Sequence, residues 1–358
     1  MRVSQLVDVL KTTYRAPRDK QVAIFARGLP GVGKSGAGKS AAQQLAGEYS
    51  LEFRDLDRQP WSEECCKSFC YLQLQATIED PITLSGLPAN DPDDPHYAVF
   101  KAFKDKLPTG GRGILEIAEI NTAPPSVQAG FYALFLTGKL GSYHLPDGWL
   151  VYATGNRDGD RAATQRMPTP LIGRLCFLDI EIDLAAWTHW GLQNGVRPEV
   201  IGFYQWKPDL FDTFDPTSTE PYSGPRSAAR ASSICDCGYN GLESQMIQGV
   251  VGKGVGTAMV AYFEMARSLV TPAMIVKDPA GAAIPDELSA LIATITALAF
   301  VADKDNFAAI MQYLQRLPQE YTMLGLKLAT KKRPALEQTM TFISYASKPE
   351  VRALFTAS

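Results

Sequence analysis

Histidine is scarce in this sequence. His96, His144 and His189 are the only three in 358 residues. They stand far apart, without the neighbours a nucleophile–base–acid arrangement needs, and ordinary polar or packing roles are expected of them. A basic excess is also missing. With 35 Lys and Arg against 38 Asp and Glu, the formal charge is −3, so no global field advertises a nucleic-acid or anionic-membrane partner. The only compact basic run, Lys331-Lys332-Arg333, reads as a solvated helix end.

The most apolar stretch is shorter than a bilayer span. It runs from Leu288 to Ala302 and contains Ser289, Thr294 and Thr296 between Glu287 and Asp303, which reads as a buried helix. Arg2, Asp8 and Lys11 interrupt the N-terminal segment, so no secretory signal is expected and a cytoplasmic location is. Six cysteines in a chain this long make no disulfide framework. Cys65, Cys66 and Cys70, with Cys235 and Cys237, lack the paired C-x-x-C spacing of structural zinc sites, and reduced thiols are expected. Asp91, Asp93 and Asp94 imitate a calcium loop but lack its glycine and terminal glutamate.

What is present is a phosphate-loop signature written twice. GLPGVGKSGAGKS, Gly28 to Ser40, fits G-x-x-x-x-G-K-[ST] at Gly28 to Ser35 and again at Gly33 to Ser40. Such a loop works because backbone N–H groups, unobstructed at the glycines, converge on phosphate oxygens at a helix N-terminus. The lysine neutralises β/γ charge and the Ser hydroxyl serves Mg²⁺. The apolar run Gln21 to Ala26 reads as a buried strand feeding directly into Gly28 and favours the first copy: Gly28, Pro30, Gly31, Val32, Gly33, Lys34 and Ser35. The distance to the next strand candidate, Leu51 to Arg54, favours the second, with Lys39 and Ser40 as the alternate pair. Use of the first copy puts Gly36 and Gly38 inside a helix, at about 1 kcal/mol each relative to Ala.

Further strands are expected at Gly113–Ile120, Trp149–Thr154 and Cys176–Ile182, with a hairpin over Gly138–Trp149. Helices are expected at Val3–Tyr14, Ser40–Glu48 and Ser126–Leu136, and a loop at Asp80–Pro95. Beyond Leu184 helical patterns dominate: 184–192, 198–205, 227–234, 257–269, 287–302, 307–317 and 336–346. The stretch Phe211–Pro225 reads as a flexible connection. The expectation is an α/β domain over residues 1–183, a parallel sheet with flanking helices, followed by an all-α domain over 184–358.

The order of motifs resembles the MoxR-type AAA+ ATPases. The resemblance covers nearly the whole chain and rests on RGLPGVGKS (Arg27–Ser35), LPTGGRGILEIAEINTAPPSVQAGFYAL (Leu107–Leu134), GKLGSYHLPDGW (Gly138–Trp149), ATGNRDGDRAATQRMPTPLIGRL (Ala153–Leu175), PRS (Pro225–Ser227) and YLQRLP (Tyr313–Pro318). It implies an AAA+ P-loop core with an all-α lid, and binding of ATP and Mg²⁺ between the subunits of a ring, expected to be hexameric. It further implies remodelling of a protein client, with a von Willebrand factor A domain protein as a separate adaptor.

By the same resemblance Lys34 and Ser35 are the Walker A pair, and Glu119 is the Walker B glutamate that orients water. Asn156 stands at sensor 1, Arg174 at the arginine finger and Arg226 at sensor 2 in the lid. Ser35 and Glu119 would serve the metal, and Arg157, Arg161 and Arg166 form a basic run near the subunit edge. One departure stands out. The family's strand ends in Asp-Glu, and here it ends in Ala118-Glu119. Alternation puts Glu116 on the same strand face about 7 Å deeper, where it could serve through an extra water, although an unpaired buried carboxylate is costly. Otherwise weak Mg²⁺ binding and slow hydrolysis are expected, and a subunit that uses ATP as structural glue is the alternative reading. A nucleic-acid motor is disfavoured by the acidic balance.

Overall fold

The computed structural model describes residues 1–58, 61–85, 87–88, 97–98, 107–140, 143–160 and 164–348. They form two compact units, Met1–Ile182 and Asp183–Ser358.

In the first unit the strands are β1 (Ala23–Gly28), β2 (Glu52–Asp55), β3 (Ser68–Gln75), β4 (Leu87–Pro88), β5 (Tyr97–Ala98), β6 (Arg112–Ala118), β7 (Lys139–Leu140), β8 (Tyr143–His144), β9 (Trp149–Gly155) and β10 (Leu175–Ile180). The helices are α1 (Val3–Arg15), α2 (Lys34–Glu48), α3 (Pro81–Ser85), α4 (Pro125–Gly130), α5 (Tyr132–Thr137) and α6 (Thr169–Ile172). Six strands make one sheet in the order β10-β1-β9-β6-β3-β2, and every pairing in it is parallel.

A parallel sheet covered on both faces explains why its strands read as apolar runs rather than as alternating ones. On one face α1 and α2 pack Leu6, Leu10, Ala41 and Leu45 against Ile24, Ile114 and Leu150. On the other, Phe25, Leu72, Leu115 and Val151 meet Val127, Phe131 and Leu134. The strand order places β1 between β9 and β10, so the loop that leaves β1 emerges at the carboxyl edge of the sheet, where open α/β sheets take their ligands.

The second unit is helical: α7 (Leu184–Gln193), α8 (Pro198–Trp206), α9 (Pro225–Cys237), α10 (Glu243–Val251), α11 (Lys253–Arg267), α12 (Pro272–Lys277), α13 (Leu288–Val301), α14 (Phe307–Leu314), α15 (Gln319–Lys332) and α16 (Met340–Ala346). The apolar α13 is its axis, with Ile292, Ile295 and Leu298 buried and α8 and α15 packed against it. One stretch of the described residues, Lys253–Lys277, is apolar and long enough to cross a membrane by length and composition alone. Here it is broken between α11 and α12.

The fold class expected from the sequence is the one observed, with local corrections. Strand β3 was not anticipated, although it lies between β2 and β6. Residues 81–85 are helical where a loop was expected, and the helix expected over 126–136 is interrupted at Phe131, which caps α4 and opens α5. Helices α10 and α12 had no sequence signal, and of α15 only the basic end, Lys331-Lys332, was read from the sequence. The stretch Phe211–Pro225 is held in place: the Thr213 amide donates to the Ser223 carbonyl at 3.2 Å, and the Tyr204 and Ser223 hydroxyls meet at 2.8 Å. His96, Asp91, Asp93, Asp94, Gly141 and Arg161 lie outside the described residues.

Candidate functional site

Strand β1 ends at Gly28, where a Cβ would lie 2.5 Å from the Ile180 carbonyl oxygen of β10. Only glycine fits that close approach. The chain then turns through Gly31 and Gly33, whose φ values of 83° and 107° lie in the region that favours glycine. Gly33 caps α2, and Lys34 is its first residue. The Lys34 ammonium folds over the loop and donates to the carbonyls of Gly28 at 2.7 Å and Leu29 at 3.0 Å.

The first copy of the signature therefore forms the loop and the second is wound into α2. Lys39 pairs with Asp55 of β2, and the Ser40 hydroxyl accepts from Gln44 at 3.3 Å. The structure does not bring these two alternate residues to the loop.

Next to Ser35 stands a carboxylate the sequence left without partners. Glu116 is fully buried, yet four hydroxyls serve it. Its Oε1 accepts from Ser35 and from Thr154, each at 2.7 Å. Its Oε2 accepts from Tyr152 at 2.7 Å and from Tyr71. The expected cost of an unpaired buried carboxylate is thus corrected: β3, β9 and the first turn of α2 supply donors. Burial, reinforced by the Glu116 charge, pushes both phenols well above the ordinary tyrosine value, so they stay protonated. Ala118 is buried one strand period further on and brings no oxygen.

Glu119 follows at the exposed edge. Its backbone is left-handed, φ 53° and ψ 38°, which is uncommon for a residue with a side chain. Its carboxylate accepts from Gln75 at 2.9 Å, a contact with no sequence signal because β3 itself had none. Asn156, just past β9, is buried. Its loop is clamped by Asn121, whose Nδ2 donates to the Asn156 carbonyl at 2.7 Å while its Oδ1 accepts from the Asn156 amide at 3.1 Å.

Arg174 lies away from this cluster in the same unit. Its guanidinium donates to the Pro170 carbonyl and lies 5.9 Å from the Tyr132 ring centroid, while its Nε is buried without a partner. Arg226 belongs to the second unit, exposed in the first turn of α9. Among the described members of the basic run, Arg157 pairs with Asp160 at 3.2 Å. Arg166 lines a cavity of about 330 Å³ with Arg27, Asn121 and Asp158. The cysteines bring no metal cluster together among the described residues. Cys65 and Cys70 are buried.

A parallel sheet, a glycine loop from its first strand into a helix, and a Lys-Ser pair at that helix's first turn beside a buried acid define a P-loop α/β fold. No protein-family model matches the chain, and no curated protein does. Among solved structures, it is similar to a RuvB mutant from Thermotoga maritima at 11% identity and a TM-score of 0.35, over 88% of each chain. It is also similar to NtrX from Brucella abortus in complex with ADP, at 14% identity and a TM-score of 0.32, over 97% of this chain and 67% of that one. A third is a DNA polymerase III gamma subunit-related protein from Thermotoga maritima, at 10% identity and a TM-score of 0.29, over 98% and 89%. Superpositions this loose establish no kinship, and the fold class rests on the sheet order and the loop.

Proposed function

We propose that the chain is an AAA+ ATPase of the MoxR type, which binds ATP with Mg²⁺ at the loop between β1 and α2 and couples hydrolysis to remodelling of a protein partner. The observation that carries the reading is the left-handed turn at Gly33, which delivers Lys34 and Ser35 together at the start of α2. The residues fit the nucleotide: the glycines clear a path for phosphate, Lys34 carries the neutralising charge, and the Ser35 hydroxyl, its proton held by Glu116, offers an oxygen to a cation.

Bound MgATP supplies the phosphoanhydride bond to be broken. In this reading Glu119 orients the attacking water and Asn156 steadies the γ-phosphate end of the site. Arg174 and Arg226 take their roles, an arginine finger toward a neighbouring subunit and a sensor in the lid, from the sequence resemblance alone. A finger that acts on a neighbour requires an assembly, and we propose a hexameric ring in the cytoplasm with a separate von Willebrand factor A domain adaptor.

Ala118 favours a second reading, an assembly subunit that holds ATP and hydrolyses it poorly. Phosphate release by the wild type against Glu119→Gln, with ATP affinity and light-scattering mass measured alongside, tests both. Release above the Glu119→Gln level is the expected result. Equal release with tight ATP binding selects the second reading, and absence of ATP binding refutes both.

A further inference from the structure

A carboxylate has two oxygens and about four acceptor sites. At Glu116 all four are used: Ser35 and Thr154 on one oxygen, Tyr152 and Tyr71 on the other. Glu116 therefore has no lone pair left for a metal or a metal-bound water. Three of its donors come from β3 and β9, within the sheet. The fourth comes from Ser35, in the first turn of α2, and it joins this buried carboxylate directly to the surface where phosphate would sit.

That link has a direction. A serine hydroxyl has one proton and two lone pairs. With its proton committed to Glu116, Ser35 turns lone pairs away from the sheet, and a charge-assisted bond to a carboxylate raises the electron density on that oxygen. Gly38 guards the geometry. A Cβ there would overlap the Tyr152 hydroxyl and push it off Glu116. The second glycine-lysine-serine copy thus holds its glycine for the cage around Glu116.

We infer that Glu116 is a positioning residue for the divalent cation of a bound nucleotide: it acts through Ser35, as a carboxylate relocated one strand period inward from the alanine at position 118. The inference rests on the nucleotide-binding reading of Gly28–Ser35 and replaces the notion of Glu116 as a water-mediated ligand.

The test is a titration with a fluorescent ATP analogue in Mg²⁺ and again in EDTA, with Mn²⁺ binding followed by electron paramagnetic resonance. The ratio of the two affinities isolates the contribution of the cation. Glu116→Gln is expected to lose about tenfold or more of that ratio, as outer-shell substitutions at metal sites do, while affinity in EDTA holds. Ser35→Ala should lose as much, and the double variant no more. Glu116→Gln combined with Ala118→Asp should recover most of the loss, which a purely structural role for Glu116 would not allow.

Ala118→Asp alone should leave the ratio unchanged, because the work is already done. That variant keeps the inference open to refutation even where Glu116→Gln does not fold. An unchanged ratio in Glu116→Gln, additive losses in the double variant, or a tenfold gain from Ala118→Asp alone would overturn the inference and leave the nucleotide reading intact. A wild type that binds no nucleotide in either buffer overturns both.

Discussion

Tyr152 occupies the space in which any side chain at position 38 would begin: its hydroxyl, Cζ and Cε1 all crowd the Cβ position of Gly38. Gly36, two residues earlier on the same helix, has nothing within 4 Å of its Cβ position. The two glycines should respond oppositely to alanine. Gly38→Ala overpacks the face beneath α2 and is expected to cost about 1–3 kcal/mol. Gly36→Ala relieves backbone entropy and should gain about 0.5–1 kcal/mol. Urea denaturation of both variants checks the pair, and a Gly38→Ala as stable as wild type would contradict the packing.

Asn121 is buried and pairs with both the carbonyl and the amide of Asn156. Asn121→Ala leaves these two backbone groups without their side-chain partner, at about 1–3 kcal/mol each where they stay buried. Amide hydrogen exchange at Asn156 should accelerate in parallel, which separates loss of the clamp from a general loosening of the core.

The two lysines of the repeated signature differ in what they hold. Lys34→Ala should weaken ATP by about 1.5–3 kcal/mol, or roughly ten- to hundredfold in Kd. Lys39→Ala breaks a pair with Asp55 whose lysine is a third exposed. It should cost about 1 kcal/mol or less of stability and leave nucleotide affinity near wild type. Isothermal titration of the two variants decides between the copies.

Arg27 grips Asp179 with two hydrogen bonds, 2.6 and 3.2 Å, tying the end of β1 to β10. The Arg27 hydrogen bond holds the Asp179 carboxyl below its ordinary value of 3.8. A depressed carboxyl stabilises the fold above that ordinary value, and the contribution is lost as pH falls through the lower, folded one. Arg27→Gln should therefore be less stable than wild type at neutral pH, by at most about 1 kcal/mol for so exposed a pair. The difference should shrink below about pH 4. A gap that widens on acidification would contradict the assignment.

Thiol chemistry follows burial. Cys66, Cys176 and Cys237 are exposed, while Cys65 and Cys70 are buried. Burial pushes the Cys70 thiol up to about 12, so little thiolate is present at neutral pH. A thiol reagent should find three fast groups in the native protein, a slower one at half-buried Cys235, and Cys65 and Cys70 only on unfolding. A fast reaction at Cys70 would place β3 differently.

The first unit was legible wherever local pattern and burial agree. The apolar run into Gly28 marked β1, and the glycine spacing marked the loop. Strand β3 escaped because Phe69 to Leu72 is buried on both faces, which leaves no alternation to read. Of helix α15 only the basic end was legible, because Pro318 opens it without a capping side chain and its polar and apolar residues are closely mixed. At the site, Lys34 and Ser35 could be read from a contiguous motif. The partners of Glu116 could not, because Tyr71, Tyr152 and Thr154 reach it from neighbouring strands and only the register of β3 and β9 beside β6 makes them neighbours.

Repeating five letters did not repeat a site. Once α2 begins, each residue advances about 100° and 1.5 Å, so Lys39 leaves the helix roughly 140° around and about 7.5 Å along from Lys34. Its amides are already committed: Ala37 donates to the Gly33 carbonyl at 2.8 Å, and every later turn closes in the same manner. A helix has only one uncommitted leading end, so a second phosphate cradle in this stretch would require unwinding the turn that makes the first.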